Sequence, residues 1–367
     1  MKVALIGGHF TPALAVIEKL QGKADIVFIG RKNALEGDKT VSLEHTTITG
    51  LGIPFLSLTT GRLQRRFTKH TIPSLLKLPY GVSQALRMLH KEKVDVVLGF
   101  GSYLSVPVCF AAKLLGIPIV IHEQTLEAGA ANHTIAKIAS KICISFETSL
   151  KYFPKEKTIV TGNPIRDAIL HPQTNMKLPF SDSLPIVFIT GGSSGSHAIN
   201  VLIKESLSLL LQKYNVIHQT GDAKEFHDFS DLEQLRDSFS GEKKKRYWVT
   251  KFIAPHEIGF YFSKADICIS RSGINTITEL LYFEKRAILI PLPYSSKQEQ
   301  LKNARYLAHK FDGIVLEQHL ATRSTLLDAL KTLSKLKVHE SNKQKELHLH
   351  AAEHITDVVI EVVKRQK

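Results

Sequence analysis

Apolar residues along the chain fall into short β-branched runs, separated by longer stretches in which they recur at helical spacing. Residues 3–6, 26–29, 94–98, 119–121, 141–145 and 158–160 read as strands, and 186–189, 216–219, 266–270 and 287–290 resume the series. Between them, 12–20, 103–115, 199–213 and 276–283 carry the amphipathic period of helices. This alternation predicts parallel sheets wound from right-handed βαβ units. Strands that are apolar almost throughout predict sheets covered on both faces. Turn residues and weak patterning between Gly162-Asn163-Pro164 and Pro185 interrupt the series. The expected fold is therefore α/β: two Rossmann-like, doubly wound domains over 1–163 and 164–350, facing a central cleft. Residues 322–350 read as further helix, and a last helix over 351–367 is expected to pack back on the first domain.

Three glycine turns each follow an apolar run and lead into a helix: Gly7-Gly8-His9, Gly99-Phe100-Gly101-Ser102-Tyr103 and Gly191-Gly192-Ser193-Ser194-Gly195-Ser196. A helix N-terminus leaves backbone N–H groups unpaired and carries partial positive charge, and glycine lets a phosphate approach them. Phosphate-bearing ligands are the expected cargo. Arg271-Ser272-Gly273-Ile274-Asn275-Thr276 again joins a strand to a helix and places Glu279 about one turn inside it, where a carboxylate suits a ribose. An acidic residue near a helix start is equally explained by the helix dipole. Gln298, Gln300 and Asn303 offer amides to sugar hydroxyls, or are exposed helix residues. Arg166 can clamp a phosphate bidentately, or be a surface residue in a linker. His9 is a candidate base, and His122-Glu123-Gln124 sits at another strand end. His350-Ala351-Ala352-Glu353-His354 has inverted-zincin spacing but no evident further ligand, so no metal site and no cofactor are assigned.

Bulk properties narrow the class. Apolar content of 43% and charged content of 22% over 367 residues are those of a globular protein of two domains. No apolar run is long enough to span a bilayer, and the N-terminal run meets Gly7 too early for a signal peptide. Cys109, Cys143 and Cys268 sit in apolar runs without CxxC spacing and read as buried thiols of a cytosolic protein. The net charge of +14 raises nucleic acid as a partner, but the aromatic interleaving that stacks bases is missing. From Arg62 to Lys91, basic residues (Arg62, Arg65, Arg66, Lys69) precede Ile72, Leu75, Leu76, Leu78 and Tyr80, with Pro73 and Pro79 expected to break any long helix. That pattern fits either an anionic membrane surface or leucines packed into the core.

Taken in order, the motifs resemble the MurG family of bacterial glycosyltransferases, glycosyltransferase family 28. The likeness runs over nearly the whole chain. It is carried by Gly7-Gly8-His9, Gly99 to Tyr103, His122-Glu123-Gln124, Gly129, Asn132, Gly162-Asn163-Pro164-Ile165-Arg166, Gly191-Gly192-Ser193, His218-Gln219-Thr220-Gly221, Phe252-Ile253, Arg271-Ser272-Gly273, Thr276, Glu279, Gln300 and Asn303-Ala304. The resemblance implies a GT-B fold and inverting, metal-independent transfer of N-acetylglucosamine from UDP-N-acetylglucosamine to undecaprenyl-pyrophosphoryl-N-acetylmuramyl-pentapeptide (lipid I). It implies a donor site of Ser193, Phe252, Ile253, Gly273, Thr276, Glu279 and Gln300, with Ile253 meeting uracil, Glu279 ribose and Ser193 the diphosphate. It places Gly7, Gly8, Gly101, Ser102, Tyr103, Glu123, Thr125 and Asn132 on the acceptor side, and assigns His9 as base and Arg166 to the phosphates. It turns the stretch from Arg62 to Lys91 towards the membrane, at whose cytoplasmic face the protein would be peripheral, without nucleic acid as partner.

This chain departs from the family pattern in four places. The first loop is about three residues short, Ser102 breaks the second glycine pair, Thr125 replaces an asparagine, and Glu299 stands where histidine or glutamine is common. Other readings of the same residues are a GT-B enzyme with another sugar and lipid, a UDP-N-acetylglucosamine 2-epimerase, or a basic nucleic-acid or membrane-binding module.

Overall fold

The computed structural model describes residues 1–33, 41–61, 71–180, 182–192, 194–223, 225–335 and 343–366, with the backbone alone for 71–76, 296 and 343–344. The chain forms two compact units, Met1–Arg166 with Leu347–Lys367, and Asp167–Glu346. The division falls after Arg166, so this arginine closes the first unit rather than opening the second.

The first unit is a seven-stranded parallel sheet of β1 (Lys2–Ile6), β2 (Asp25–Gly30), β3 (Phe55–Ser57), β4 (Val96–Gly99), β5 (Ile119–Glu123), β6 (Lys141–Ile144) and β7 (Thr158–Val160) in the order β3-β2-β1-β4-β5-β6-β7. Its helices are α1 (Phe10–Leu20), α2 (Leu43–Gly50), α3 (Thr71–Lys91), α4 (Ser105–Leu114) and α5 (Ala130–Ile135). The second unit carries α6 (Asp167–Leu170), β8 (Ile186–Thr190), α7 (His197–Leu210), β9 (Asn215–Gln219), α8 (Asp228–Ser238), α9 (Gly241–Lys245), β10 (Tyr247–Thr250), α10 (Ile258–Lys264), β11 (Ile267–Ser270), α11 (Ile274–Tyr282), β12 (Arg286–Leu289), α12 (Glu299–Lys310), β13 (Gly313–Val315) and α13 (Arg323–Lys335). Its sheet runs β10-β9-β8-β11-β12-β13, again all parallel. The chain then continues through α14 (Lys343–Leu349) and α15 (Ala351–Lys364).

The inner strands are buried on both faces, the edge strands β3, β7 and β13 are only half-buried, and a separate apolar layer lies on each side of each sheet. On one face of the first sheet Ile355, Val359, Val362 and Val363 of α15 share a layer with Val16 and Leu20 of α1. The three cysteines are free and buried; burial pushes Cys143 and Cys268 up to about 12 and Cys109 higher still, so all remain neutral thiols.

Both sheets reverse direction of winding at one place, between β1 and β4 and between β8 and β11. Ligands of open α/β sheets bind outside the carboxyl ends of the strands at such a point. Register puts Ile6 beside Gly99 and Thr190 beside Ser270, so the glycine turns leave each pair of strands at the same level.

The region around Pro79 corrects the sequence expectation, because α3 is continuous for 21 residues. Pro73 lies in its first turn, where an N–H has no intrahelical acceptor anyway, while Pro79 removes one interior bond. Packing outweighs that loss. Gly81 approaches Thr60 so closely that a Cβ would lie 2.6 Å from its Oγ1, and Ala85 and Leu89 are buried beyond it. Residues 62–70 lie outside the described residues, as do the side chains of Ile72, Leu75 and Leu76. Tyr80 is 56% exposed.

Candidate active site

In the N-terminal unit the turns after β1 and β4 are in backbone contact. A Cβ on Gly8 would lie 2.1 Å from the Gly101 carbonyl, and Gly101 has a φ of +66°. Ser102 locks the pair: its hydroxyl donates to the Gly7 carbonyl at 2.8 Å and accepts from the Leu104 N–H at 3.1 Å. The serine that breaks the second glycine pair is therefore a tie between the two turns.

His9 closes the first turn, with its backbone N–H 3.2 Å and its Nδ1 2.9 Å from the Phe100 carbonyl. A carbonyl only accepts, so Nδ1 carries the proton and Nε2 keeps its lone pair when the ring is neutral. This tautomer suits a general base. The Gly8 N–H is answered by Glu44 of α2, whose carboxyl is raised by burial against the opposing pull of Arg31 and of that N–H. The Arg31 guanidinium lies 5.6 Å from the Tyr103 ring centroid. The shortened loop thus has a protein carboxylate beside it, a partner thirty-odd residues away that no local spacing announces.

At the end of β5, Glu123 accepts four hydrogen bonds. Oε1 takes the Thr125 N–H at 3.0 Å and its hydroxyl at 2.6 Å, and Oε2 takes the Gly129 N–H at 2.8 Å and Asn132 Nδ2 at 3.1 Å. Asn132 Nδ2 also reaches the His122 carbonyl at 3.0 Å, and its Oδ1 is buried without a partner. Glu123, Thr125 and Asn132 so hold the 123–132 loop in shape. Arg166 has a buried Nε with no hydrogen-bond partner.

Three histidines are buried and neutral. Desolvation takes His122 and His218 down to about 3 and His348 to about 4. His122 Nε2 lies 3.2 Å from the Gly162 carbonyl, and His348 Nδ1 accepts the Asn163 N–H at 2.9 Å. Their ordinary pKa in an unfolded chain is about 6.5. Between that value and about 3–4 the unfolded chain therefore binds more protons, and stability falls as pH falls. By pH 5 each such histidine is expected to cost up to about 2 kcal/mol. Thermal melts at pH 7 and pH 5 measure it; a melting temperature flat across that window would contradict it.

The C-terminal unit has a cavity of about 800 Å³, open to solvent on one side, at its strand reversal, lined by the turn from Gly191 to Ser196, Gly273 and Thr276 at the start of α11, and Gln300 of α12. Ser193 lies outside the described residues; Gly192 and Ser194 on either side of it line the cavity. Gly195 has φ +77°, and a Cβ there would lie 2.1 Å from the Thr220 carbonyl, so the turn needs glycine where it crosses the end of β9. Ser196 caps α7 by accepting the Ile199 N–H. Gln219 ties the glycine turn to the 252–253 segment, which does not line the cavity: Nε2 donates to the Gly192 carbonyl at 3.0 Å, and Oε1 accepts the Ile253 N–H at 3.3 Å. Ile253 is buried in the core and Phe252 beside it is 53% exposed. Glu279 is half-buried three residues beyond Thr276 on the same helix.

Gln300 is held from both sides, its Oε1 accepting the Leu292 N–H at 3.0 Å and its carbonyl accepting the Ser272 hydroxyl at 2.8 Å. Just before it, Lys297 and Gln298 are consecutive non-glycine residues at φ +52° and +55°. Such conformations cost roughly 1–2 kcal/mol per residue and cluster at functional sites.

Sequence reasoning missed several residues of this cavity. Arg271 lines it, with Nη1 bonded to the Ile290 and Pro291 carbonyls and Nη2 to Gln318 Oε1. Tyr294, 90% exposed, stands at its rim. His197 and Phe226 also line it, stacked at 3.8 Å. The position of His197 directly after the glycine turn was the available signal.

Comparison with known proteins matches this geometry. Residues 6–144 match the glycosyltransferase family 28 N-terminal domain and residues 186–359 the glycosyltransferase family 28 C-terminal domain. The UDP-N-acetylglucosamine–N-acetylmuramyl-(pentapeptide) pyrophosphoryl-undecaprenol N-acetylglucosamine transferase of Clostridium botulinum is 32% identical over 99% of this chain and 97% of its own. The transferase of the same name from Clostridium kluyveri is 32% identical over 100% and 99%. The crystal structure of Acinetobacter baumannii MurG superposes with a TM-score of 0.73 at 25% identity, covering 98% of this chain and 100% of that one. UDP-GlcNAc 2-epimerase from Neisseria meningitidis, at 14% identity and a TM-score of 0.66 over all of both chains, shares the fold. Two parallel α/β units of GT-B type, glycine turns at both strand reversals and matches over both halves place one conclusion beyond the fold: the chain belongs to glycosyltransferase family 28.

Proposed function

We propose that this chain transfers N-acetylglucosamine from UDP-N-acetylglucosamine to undecaprenyl-pyrophosphoryl-N-acetylmuramyl-pentapeptide, giving the β-1,4-linked lipid of peptidoglycan synthesis. The observation that carries this reading is the cavity of about 800 Å³ in the C-terminal unit, where the Gly191–Ser196 turn, Thr276 and Gln300 meet. Backbone N–H groups and the α7 dipole suit a diphosphate, and the amide and hydroxyl suit a sugar. Ile253 and Phe252 are assigned to uracil, Glu279 to ribose, and Ser193 to the diphosphate.

The reaction is a single displacement. The acceptor 4-hydroxyl forms a bond to the anomeric carbon as the bond from that carbon to the phosphate oxygen breaks, and UDP leaves with the electron pair. His9 Nε2 takes the hydroxyl proton. Turn amides stabilise the charge growing on UDP, an arrangement typically worth about 3–4 kcal/mol for one well-placed donor. Arg166 is assigned to the phosphates. Gly7, Gly8, Gly101, Ser102 and Tyr103 shape the acceptor side, and Glu123, Thr125 and Asn132 support it from behind.

Full-length protein, radiolabelled UDP-N-acetylglucosamine and a lipid I analogue test the reading: labelled lipid is the expected product. Tight UDP binding without labelled lipid would remove the acceptor, and sugar isomerisation without acceptor would make the chain an epimerase.

The acceptor is a membrane lipid, and no helix among the described residues is long and apolar enough to cross a bilayer. Peripheral binding at the cytoplasmic face is assigned to the basic stretch from Arg62 to Lys91. Co-sedimentation with phosphatidylglycerol vesicles is expected to exceed that with phosphatidylcholine vesicles. Replacing Arg62, Arg65, Arg66 and Lys69 with glutamine should abolish the difference; an undiminished difference would move the surface elsewhere.

A further inference from the structure

Two side chains lining the cavity of the C-terminal unit can carry positive charge, Arg271 and His197. Arg271 is engaged by two backbone carbonyls and a glutamine. His197 is not so engaged. It is the first residue of α7, directly after the glycine turn and its Ser196 cap. Its ring lies flat on Phe226, 3.8 Å between centroids and 9° between planes, and its Nδ1 is 2.7 Å from Asp228 Oδ1.

Behind Asp228 the hydrogen bonds run in one direction. Asn200 Nδ2 donates to Asp228 Oδ2 at 2.8 Å and Asn200 Oδ1 faces His218 Nε2 at 3.0 Å. His218 Nδ1 in turn faces the Tyr247 hydroxyl at 2.9 Å. An amide oxygen only accepts, so His218 Nε2 carries the proton and its Nδ1 accepts from Tyr247. Every donor in this chain points towards the Asp228 carboxylate, whose Oδ2 accepts from Asn200 and is thereby fixed in place. Asp228 accordingly claims the Nδ1 proton of His197 and turns the opposite nitrogen outward from the pair. A ring clamped by stacking on one side and a carboxylate on another loses little freedom when it binds.

We propose that His197, positioned by Asp228 and Phe226, is a hydrogen-bond donor to the diphosphate of the bound nucleotide through Nε2, the ring carrying both protons when it is held between the Asp228 carboxylate and the bound anion. The proposal rests on the donor-site reading above. In it, the glycine turn supplies backbone donors and His197 adds a side-chain donor, whereas Arg271 lends its charge from a distance, its Nη1 and Nη2 being committed to the Ile290 and Pro291 carbonyls and to Gln318. The negative charge that UDP gains as the sugar leaves falls beside this group. His197 is the contact residue; Asp228 is a positioning residue.

Calorimetric titration of the full-length protein with UDP and with uridine tests it. His197→Phe keeps an aromatic ring on Phe226 but removes the donor, and is expected to weaken UDP about ten- to a hundredfold while changing uridine less than about twofold. Asp228→Asn should weaken UDP in the same direction by a smaller factor. His197→Gln, which keeps an uncharged donor, is expected to lie between wild type and His197→Phe, and serves equally if the phenylalanine variant does not fold. Unchanged UDP affinity in the variants, or an equal loss for UDP and uridine, would overturn the role of His197 and leave the transferase reading standing. A wild-type protein that binds neither ligand would sink both.

Discussion

Replacing His9 with alanine is expected to lower turnover by about a hundred- to ten-thousandfold while leaving the affinity for UDP unchanged. The range is that of a positioned general base, and the geometry says why the loss should be kinetic. The Nδ1 bond to the Phe100 carbonyl fixes the tautomer and leaves Nε2 to receive a proton. His9 occupies the N-cap position of α1 without a side-chain capping bond, so alanine removes no cap. Steady-state kinetics with the lipid acceptor, alongside UDP titration, separates the two quantities. An unchanged kcat would take His9 out of the proton transfer, and a parallel fall in UDP affinity would mean a disturbed fold.

The second large effect is expected from Gly195→Ala. A left-handed φ costs an alanine roughly 1–2 kcal/mol by itself. The added methyl would also meet the Thr220 carbonyl at 2.1 Å, a backbone contact that no rotamer change relieves. The ends of β8 and β9 must then part, which displaces the turn proposed to hold the diphosphate. UDP affinity should fall by about tenfold or more, and the melting temperature should fall with it. Gly241→Ala is the control, because Gly241 of the same unit shares the positive φ, +59°, nothing lies within 4 Å of its missing Cβ, and it does not line the cavity. Calorimetry and thermal melts on the pair separate backbone strain from collision; equal effects would show that the close approach is not what matters.

Local pattern was legible wherever it repeats over a whole element. The long apolar strands, the helices between them and the glycine turns at both strand reversals follow from period and punctuation alone. The strands that escaped notice are β3, β10 and β13, three or four residues each at sheet edges. Half-buried edges such as Gly313-Ile314-Val315 carry too few alternations to register as a strand. The continuity of α3 through Pro79 was hidden for another reason: what sustains it is the approach of Gly81 to Thr60, a contact across the fold.

The candidate sites divide in the same way. Residues inside a strand–turn–helix motif, such as His9, Gly195 and Thr276, could be placed by their position in it. Partners brought in from elsewhere could not. Glu44 reaches Gly8 from α2, and Asp228 reaches His197 from a helix thirty-one residues on. Nothing in the spacing of charged residues announces either pairing, since each depends on which strands become neighbours.

The placement of α15 on α1 has a consequence for synthesis. The apolar face over Val16 and Leu20 is completed by Ile355, Val359 and Val363, which are translated after the entire second unit. A nascent chain therefore carries an unfinished N-terminal unit, greasy on one side, throughout elongation of the next 180 residues, Asp167–Glu346. The second unit draws on one uninterrupted stretch, Asp167–Glu346, so all its elements are made before the last helix of the first unit is.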